Sequence, residues 1–261
     1  MAIVCPLFSS SGGNATYIGY NCSGILIDAG VTAKRLSDAL AAIDVDPAGL
    51  CGVFVTHEHS DHIKGLRVFC KKYHLPVYCS ERTADAIISS GSLDQTGIIT
   101  PFETQIEVGG FTVRRFCTSH DCEGSSGYFV TTPDGKKVAV CTDLGYVSDE
   151  VECALSGADL AIVESNHDIT MLRNGPYPPS LKRRILSDKG HLSNHRCADL
   201  IAKLAAEGTS RFVLAHISRD NNTPDAAIEC TQTRLTLCGL ESGRDYLLEA
   251  AAPEGNRILV I

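Results

Sequence analysis

Residues 55–62 read VTHEHSDH, and four side chains able to bind a metal, His57, His59, Asp61 and His62, crowd into six positions after an apolar run. In an extended chain, side chains at i and i+2 share a face, so His57 and His59 leaving LCGVFVT can reach one ion together. Asp61 and His62 follow where the chain turns into a helix. Adjacent residues there point apart, which suits a second ion beside the first. Imidazole mixed with carboxylate fits zinc, manganese or iron, whereas magnesium or calcium would call for an all-oxygen shell. Further donors are expected at strand ends elsewhere, because open sheets place their sites there. His120 closes FTVRRFCTSH, Asp143 closes KKVAVCTD and His216 closes RFVLAH. A carboxylate has two oxygens with lone pairs to spare, so Asp143 is the candidate bridge between the ions. Cys117 and Cys122 flank His120, and Cys141 lies two residues before Asp143; a thiolate ligand from one of them is the alternative.

The elements that must position these groups are legible from periodicity. IGYNCSGILIDAG reads as two strands around a polar turn, TAKRLSDALAAI as a helix and LCGVFVT as a buried strand. IKGLRVFCKKY reads as one amphipathic helix, PVYCS as a short strand and ERTADAIISS as a second helix. FTVRRFCTS, SGYFVTTP and KKVAVCTD are strands, the last two joined by a hairpin at Pro133-Asp134-Gly135. ADLAIVE is a strand, followed by a loop rich in Gly, Pro and basic residues. LSNHRCADLIAKLAAEG (helix), RFVLAH (strand) and TPDAAIECTQTRLT (helix) complete the reading. The mixture implies sheets packed together with helices outside, without fixing their order.

Composition narrows the class. The 261 residues are 44% hydrophobic and 21% charged, which excludes a disordered or collagen-like chain. No apolar run approaches the roughly 18 residues of a membrane span. The start MAIVCPLFSSSGGN lacks the basic stretch of a secretion signal, so a cytoplasmic location is expected. Twelve cysteines occur singly, with no CxxC pair, which disfavours zinc ribbons and thioredoxin-type redox motifs. Most lie beside apolar residues and read as small hydrophobes. A net charge of −8 repels nucleic acid in bulk, so any contact with phosphates requires a local basic patch.

With HEHSDH followed by His120, Asp143 and His216 in order, the chain resembles the metallo-β-lactamase superfamily. That resemblance implies an α/β fold, the metallo-β-lactamase αβ/βα four-layer sandwich of two mixed β-sheets with outer helices, formed by residues 1–261 as a single domain. It also implies that His57, His59 and His120 hold one divalent transition-metal ion, that Asp61, His62 and His216 hold another, and that Asp143 bridges the two. GADLAIVESNHD and KGHLSNHRCADLIAKLAAEGTSRFVLAHISR resemble the RNase Z-type arrangement, in which a strand ends in glutamate and a Gly-His-Ser motif opens a helix. Glu164 matches that glutamate and His191 that histidine. GHLS replaces GHST here, and Ser-Asn-His-Asp follows Glu164.

His191 is then surplus to metal binding. Phosphodiester cleavage needs a nucleophile, charge on the phosphoryl oxygens and a proton for the departing alkoxide; a metal pair supplies the first two. His191, kept protonated by Glu164, is assigned the third task, and Asp61 is the third residue assigned to the chemistry. The competing role for His191 is to cap the helix that follows or to hydrogen-bond within a loop. His195, one turn later, reads as an exposed helical residue.

The layout of SSSGGNATYI, ESNHD and HISRDNNTP is most similar to the YycJ/WalJ branch of this superfamily. This implies a metal-dependent exonuclease acting on DNA, rather than RNA, from 5′ ends. The short intervals from His120 to Asp143 and from Asp143 to His216 leave no room for the tRNA-gripping arm of RNase Z or the inserted domain of RNase J-like nucleases. Arg173, Lys182, Arg183, Arg184 and Lys189 make RNGPYPPSLKRRILSDK a local basic patch leading to His191. Lys182, Arg183 and Arg184 are expected to meet the substrate, with Asn14 of the glycine turn and Ser193 beside the Gly-His motif. Two other readings compete: hydrolysis of a small ester, thioester or cyclic phosphodiester, and a metal-stabilised regulatory protein without turnover.

Overall fold

The computed structural model describes residues 1–93 and 98–261. One sheet contains β1 (Ala2–Ser10), β2 (Gly13–Tyr20), β3 (Ser23–Ile27), β4 (Leu50–Phe54), β5 (Val77–Cys79) and β6 (Ile99–Pro101). The other contains β7 (Gln105–Val108), β8 (Phe111–Cys117), β9 (Ser126–Thr131), β10 (Lys137–Cys141), β11 (Leu160–Glu164), β12 (Arg211–Ala215) and β13 (Leu247–Ala250). The chain end, β14 (Leu259–Val260), returns to pair with β1. The strand orders are β14-β1-β2-β3-β4-β5-β6 and β13-β12-β11-β10-β9-β8-β7. Each sheet is antiparallel at one end, among β14, β1, β2 and β3 and among β7, β8, β9 and β10. It becomes parallel from β3 to β6 and from β10 to β13, where helices intervene.

The helices are α1 (Ala33–Ala41), α2 (Ser60–Ile63), α3 (Leu66–Tyr73), α4 (Glu81–Ser89), α5 (Asp149–Leu155), α6 (Ile169–Asn174), α7 (Pro179–Ile185), α8 (Asn194–Ala206) and α9 (Pro224–Leu237). Strand alternation sorts the apolar residues into layers. In β10, Val138 and Val140 enter the layer between the sheets, with Ile25, Ile27 and Phe54 opposite, while Ala139 and Cys141 face the outer helices. Likewise Leu160 and Ile162 of β11 point between the sheets, and Ala161 and Val163 point out toward Leu200, Ile201 and Leu204 of α8. The first sheet buries Leu26 and Val53 under Leu36 and Leu40 of α1 and Phe69 of α3. The result is the four-layer αβ/βα sandwich.

Two expected elements differ. The helix expected over IKGLRVFCKKY is broken into α2 and α3, because Gly65 packs so tightly on the next loop that an added Cβ would lie 2.1 Å from the Val31 carbonyl oxygen. The basic loop is α6 and α7: Asp168 caps the former by accepting from Met171 N at 2.8 Å, and proline opens the latter. SSSGGN is the tight turn between β1 and β2. All twelve cysteines are free thiols and five are buried. Among the described residues no helix is long and apolar enough to cross a membrane.

Candidate metal centre

The site residues gather where the parallel strands end. Asp28 follows β3, His57 stands just past β4, Asp143 just past β10, Glu164 ends β11 and His216 follows β12. Asp28, Asp143 and His216 adopt left-handed backbone, with φ of 65°, 60° and 52°. This conformation costs a side chain about 1–3 kcal/mol and persists where surrounding structure imposes it. Here it turns the chain sharply at the strand end, with each side chain in the cluster.

All seven expected ligands come together. His57, His59 and His120 form one triplet and Asp61, His62 and His216 another. Asp143 spans both, its Oδ2 3.3 Å from His62 Nε2 and its Oδ1 3.9 Å from His120 Nε2. His57 Nε2 lies 3.0 Å from His59 Nδ1, and Asp61 Oδ2 lies 3.5 Å from His62 Nε2 and 3.8 Å from His216 Nε2. Ligand atoms on a tetrahedral ion, with bonds of about 2.0–2.1 Å, sit about 3.3 Å apart, so these spacings fit.

The outward nitrogens give the same answer. His57 Nδ1 meets Thr56 Oγ1 at 3.0 Å, His62 Nδ1 meets Asp28 Oδ2 at 2.8 Å, His120 Nδ1 meets the Gly190 carbonyl at 3.1 Å and His216 Nδ1 meets Glu164 Oε1 at 2.8 Å. Each bond fixes a tautomer or charge state and turns the other nitrogen inward, as metal-ligating histidines require. His216 Nε2 and Asp143 Oδ2 are buried without any hydrogen-bond partner, a costly state that coordination relieves. The residues therefore fit a divalent metal site. Cys141 is not among these donors; burial raises its thiol pKa well above the ordinary value.

Charge in the cluster is shared among neighbours. Burial opposes ionisation of Asp143, yet His216 and His62 hold its carboxyl well below the usual range. Burial equally disfavours protonated His216, but Asp143, Asp61 and Glu164 raise it to about 10. Burial and the His62 charge lower His57. Metal binding must therefore displace protons.

His191 does not cap α8; Ser193 does, its buried hydroxyl accepting from Arg196 N at 3.4 Å. The His191 ring instead stands between His120 and His216, with centroid separations of 5.1 and 5.3 Å, and its Nδ1 lies 2.8 Å from Glu164 Oε1. Burial works against its charge, but Glu164 and then Asp143 raise its pKa overall. Glu164 is fully buried and shared: Oε1 faces both His191 and His216, while Oε2 accepts from Leu144 N and Leu192 N at 3.1 and 3.0 Å. Its carboxyl falls to about 2, the imidazoles outweighing burial. The close grouping of Asp143, Glu164, His191 and His216 is thus a hydrogen-bonded support, since both Nδ1 atoms are committed to Glu164.

Asn14 enters the wall of the site, its Nδ2 3.3 Å from Asp61 Oδ2 and 3.1 Å from His62 Nε2. Lys182 is engaged elsewhere, because its Nζ caps the end of α6 by donating to the carbonyls of Arg173 (2.8 Å) and Gly175 (2.7 Å). Ser193 is occupied as the helix cap. Arg183 is exposed, and Arg184 pairs with Asp121. His195 is exposed. Sequence reasoning missed Asp28, Thr56 and Asp121. Asp28 carried the same signal as Asp143, an acid directly after a buried strand; Asp121 lies in a loop with no periodicity to mark it.

A family model described as a beta-lactamase superfamily domain matches residues 24–217. The chain belongs to that superfamily. It is 40% identical over 224 residues to an exodeoxyribonuclease YycJ of Bacillus anthracis, covering 85% of this chain and 84% of the relative. It is 34% identical to an exodeoxyribonuclease WalJ of Streptococcus pneumoniae, covering 95% and 93%. The metallo-beta-lactamase fold protein YhfI of Bacillus subtilis superposes with a TM-score of 0.72 at 18% identity, over 99% of this chain and 98% of that one, which shows the shared fold. Family, relatives and the His/Asp cluster make the chain a metal-dependent hydrolase of this superfamily.

Proposed function

We propose that the protein is an exodeoxyribonuclease, with two divalent transition-metal ions, zinc or manganese, at the paired triplets and DNA as substrate, degraded from 5′ ends. The observation that carries this reading is the His191 imidazole between His120 and His216, backed by Glu164. Bound divalent ions supply an activated water and positive charge for the phosphate. This chain's own residues supply the rest. Glu164 holds His191 by Nδ1 and favours its protonated form, so the opposite ring nitrogen carries a proton suited to the departing alkoxide. Asn14 and Asp28 brace Asp61 and His62. The exodeoxyribonuclease relatives, matched over most of their length, support DNA over a small ester.

The test presents manganese- or zinc-loaded protein with 5′- and 3′-labelled DNA, RNA, bis-nitrophenyl phosphate and nitrophenyl esters. Mononucleotides released from the 5′ end of DNA are expected. Ester turnover without nucleotide release from DNA would replace this reading with the small-ester hydrolase.

A further inference from the structure

The basic helix α7 is fastened to the metal centre by its backbone. His191 N donates to the Ile185 carbonyl at 3.0 Å and Gly190 N to the Ser187 carbonyl at 2.9 Å, while the Gly190 carbonyl accepts from His120 Nδ1. The fit leaves no room for a side chain at residue 190: a Cβ there would lie 2.2 Å from the Ile185 oxygen and 2.3 Å from the Arg184 oxygen. Arg184 is thus set beside the site, and its Nε pairs with Asp121 Oδ2. The other oxygen of Asp121 lies 3.3 Å from His120 Nε2 and 3.7 Å from His59 Nε2. One carboxylate therefore links two imidazoles of the first triplet to one guanidinium. Because Nε is taken, the Nη1 and Nη2 end of Arg184 is left over, with no hydrogen-bond partner among the described residues and half of the side chain exposed. That end offers two parallel donors, matched to two oxygens of one phosphate.

We propose that Arg184 binds a phosphate at the His57–His59–His120 end of the site, and that Asp121 is its positioning residue. This rests on the phosphodiesterase reading above. It separates Arg184 from Lys182, which serves α6, and predicts that lysine cannot replace arginine, since one ammonium cannot span both Asp121 and a phosphate.

The experiment measures inorganic phosphate binding to the metal-loaded protein by calorimetry, together with metal content and the KM and kcat for DNA. Arg184→Ala should keep its metal and weaken phosphate binding roughly ten- to a hundredfold, the usual worth of charge-assisted hydrogen bonds, and Arg184→Lys should recover little of it. Asp121→Asn should weaken phosphate binding in the wild-type background but not in Arg184→Ala, because it acts through that side chain. Unchanged phosphate affinity in Arg184→Ala overturns the proposal. Metal loss in Asp121→Asn, or losses that simply add, overturn the positioning role and make Asp121 a ligand or an independent contact. If the wild type releases no nucleotides but Arg184→Ala still loses phosphate affinity, the nuclease reading falls and this one stands. If DNA is degraded and phosphate affinity is indifferent to residue 184, the reverse holds.

Discussion

Glu164 presents one oxygen to two imidazoles with different proposed tasks, His191 as general acid and His216 as metal ligand. Substitutions at the three positions should therefore differ in kind. His191→Ala should retain metal and lose about 10²–10⁴ in turnover of DNA, the usual worth of a general acid. A nitrophenyl phosphodiester, whose leaving group departs without a proton, should lose far less. Glu164→Ala should show the same kinetic defect and, in addition, bind metal about 10–100-fold more weakly, because His216 loses the group that orients it. Competition with a chelator measures this. Wild-type metal affinity in Glu164→Ala would mean that His216 does not need its partner.

At the scale of elements, the HxHxDH turn is held by a segment from another strand. Ala29 N donates to the His62 carbonyl and Gly65 N to the Ala29 carbonyl, at 2.8 and 2.9 Å, so the DAG segment after β3 grips the C-terminal end of α2. Gly30 lies against this turn so closely that an added Cβ would stand 1.6 Å from the Asp61 carbonyl oxygen and 2.6 Å from Asn14 N. Both obstacles are backbone and neither can rotate away. Gly30→Ala should destabilise the fold by about 1–3 kcal/mol or more and displace Asp61, lowering metal affinity. Gly12→Ala is the comparison, because its nearest neighbour would be Ser10 Oγ at an ordinary 3.5 Å. Urea unfolding of the two variants should separate them, and equal midpoints would remove Gly30 from the support of the site.

Across the whole molecule, a net charge of −8 opposes the approach of DNA, and the basic residues of α7 must act against that field. Since Lys182 holds the end of α6, its removal would mix a structural effect with an electrostatic one; Arg183→Ala with Arg184→Ala is the cleaner variant. Its KM for DNA should rise, and the log–log dependence of binding on salt should flatten by roughly 0.7 for each phosphate of a single strand that is no longer neutralised. Turnover of a small neutral ester should survive. An unchanged salt slope would mean that the strand reaches the metals by another path.

The amino-acid sequence by itself determined the candidate ligands and the kinds of layer. HxHxDH is local, each remaining candidate ligand stands just past a strand, and period-two alternation puts Val138 and Val140 on one face and Ala139 on the other whatever the topology. It also carried the expectation that His191 stands beside the site, through the resemblance of the motif around it, and the ring lies between His120 and His216. Short edge strands were not legible: β7 alternates exposed and half-buried residues, and β14 is two residues long, so neither shows an apolar stripe. Only the tertiary structure decided which groups stand behind the ligands. Asp28 reaches His62, the Gly190 carbonyl reaches His120, Glu164 serves two histidines and Asp121 meets Arg184 across gaps of 34, 70, 27, 52 and 63 residues. Such pairings leave no local pattern. They depend on which strand ends the sheet order places side by side, and on backbone turns that let Asp143 and His216 join the cluster.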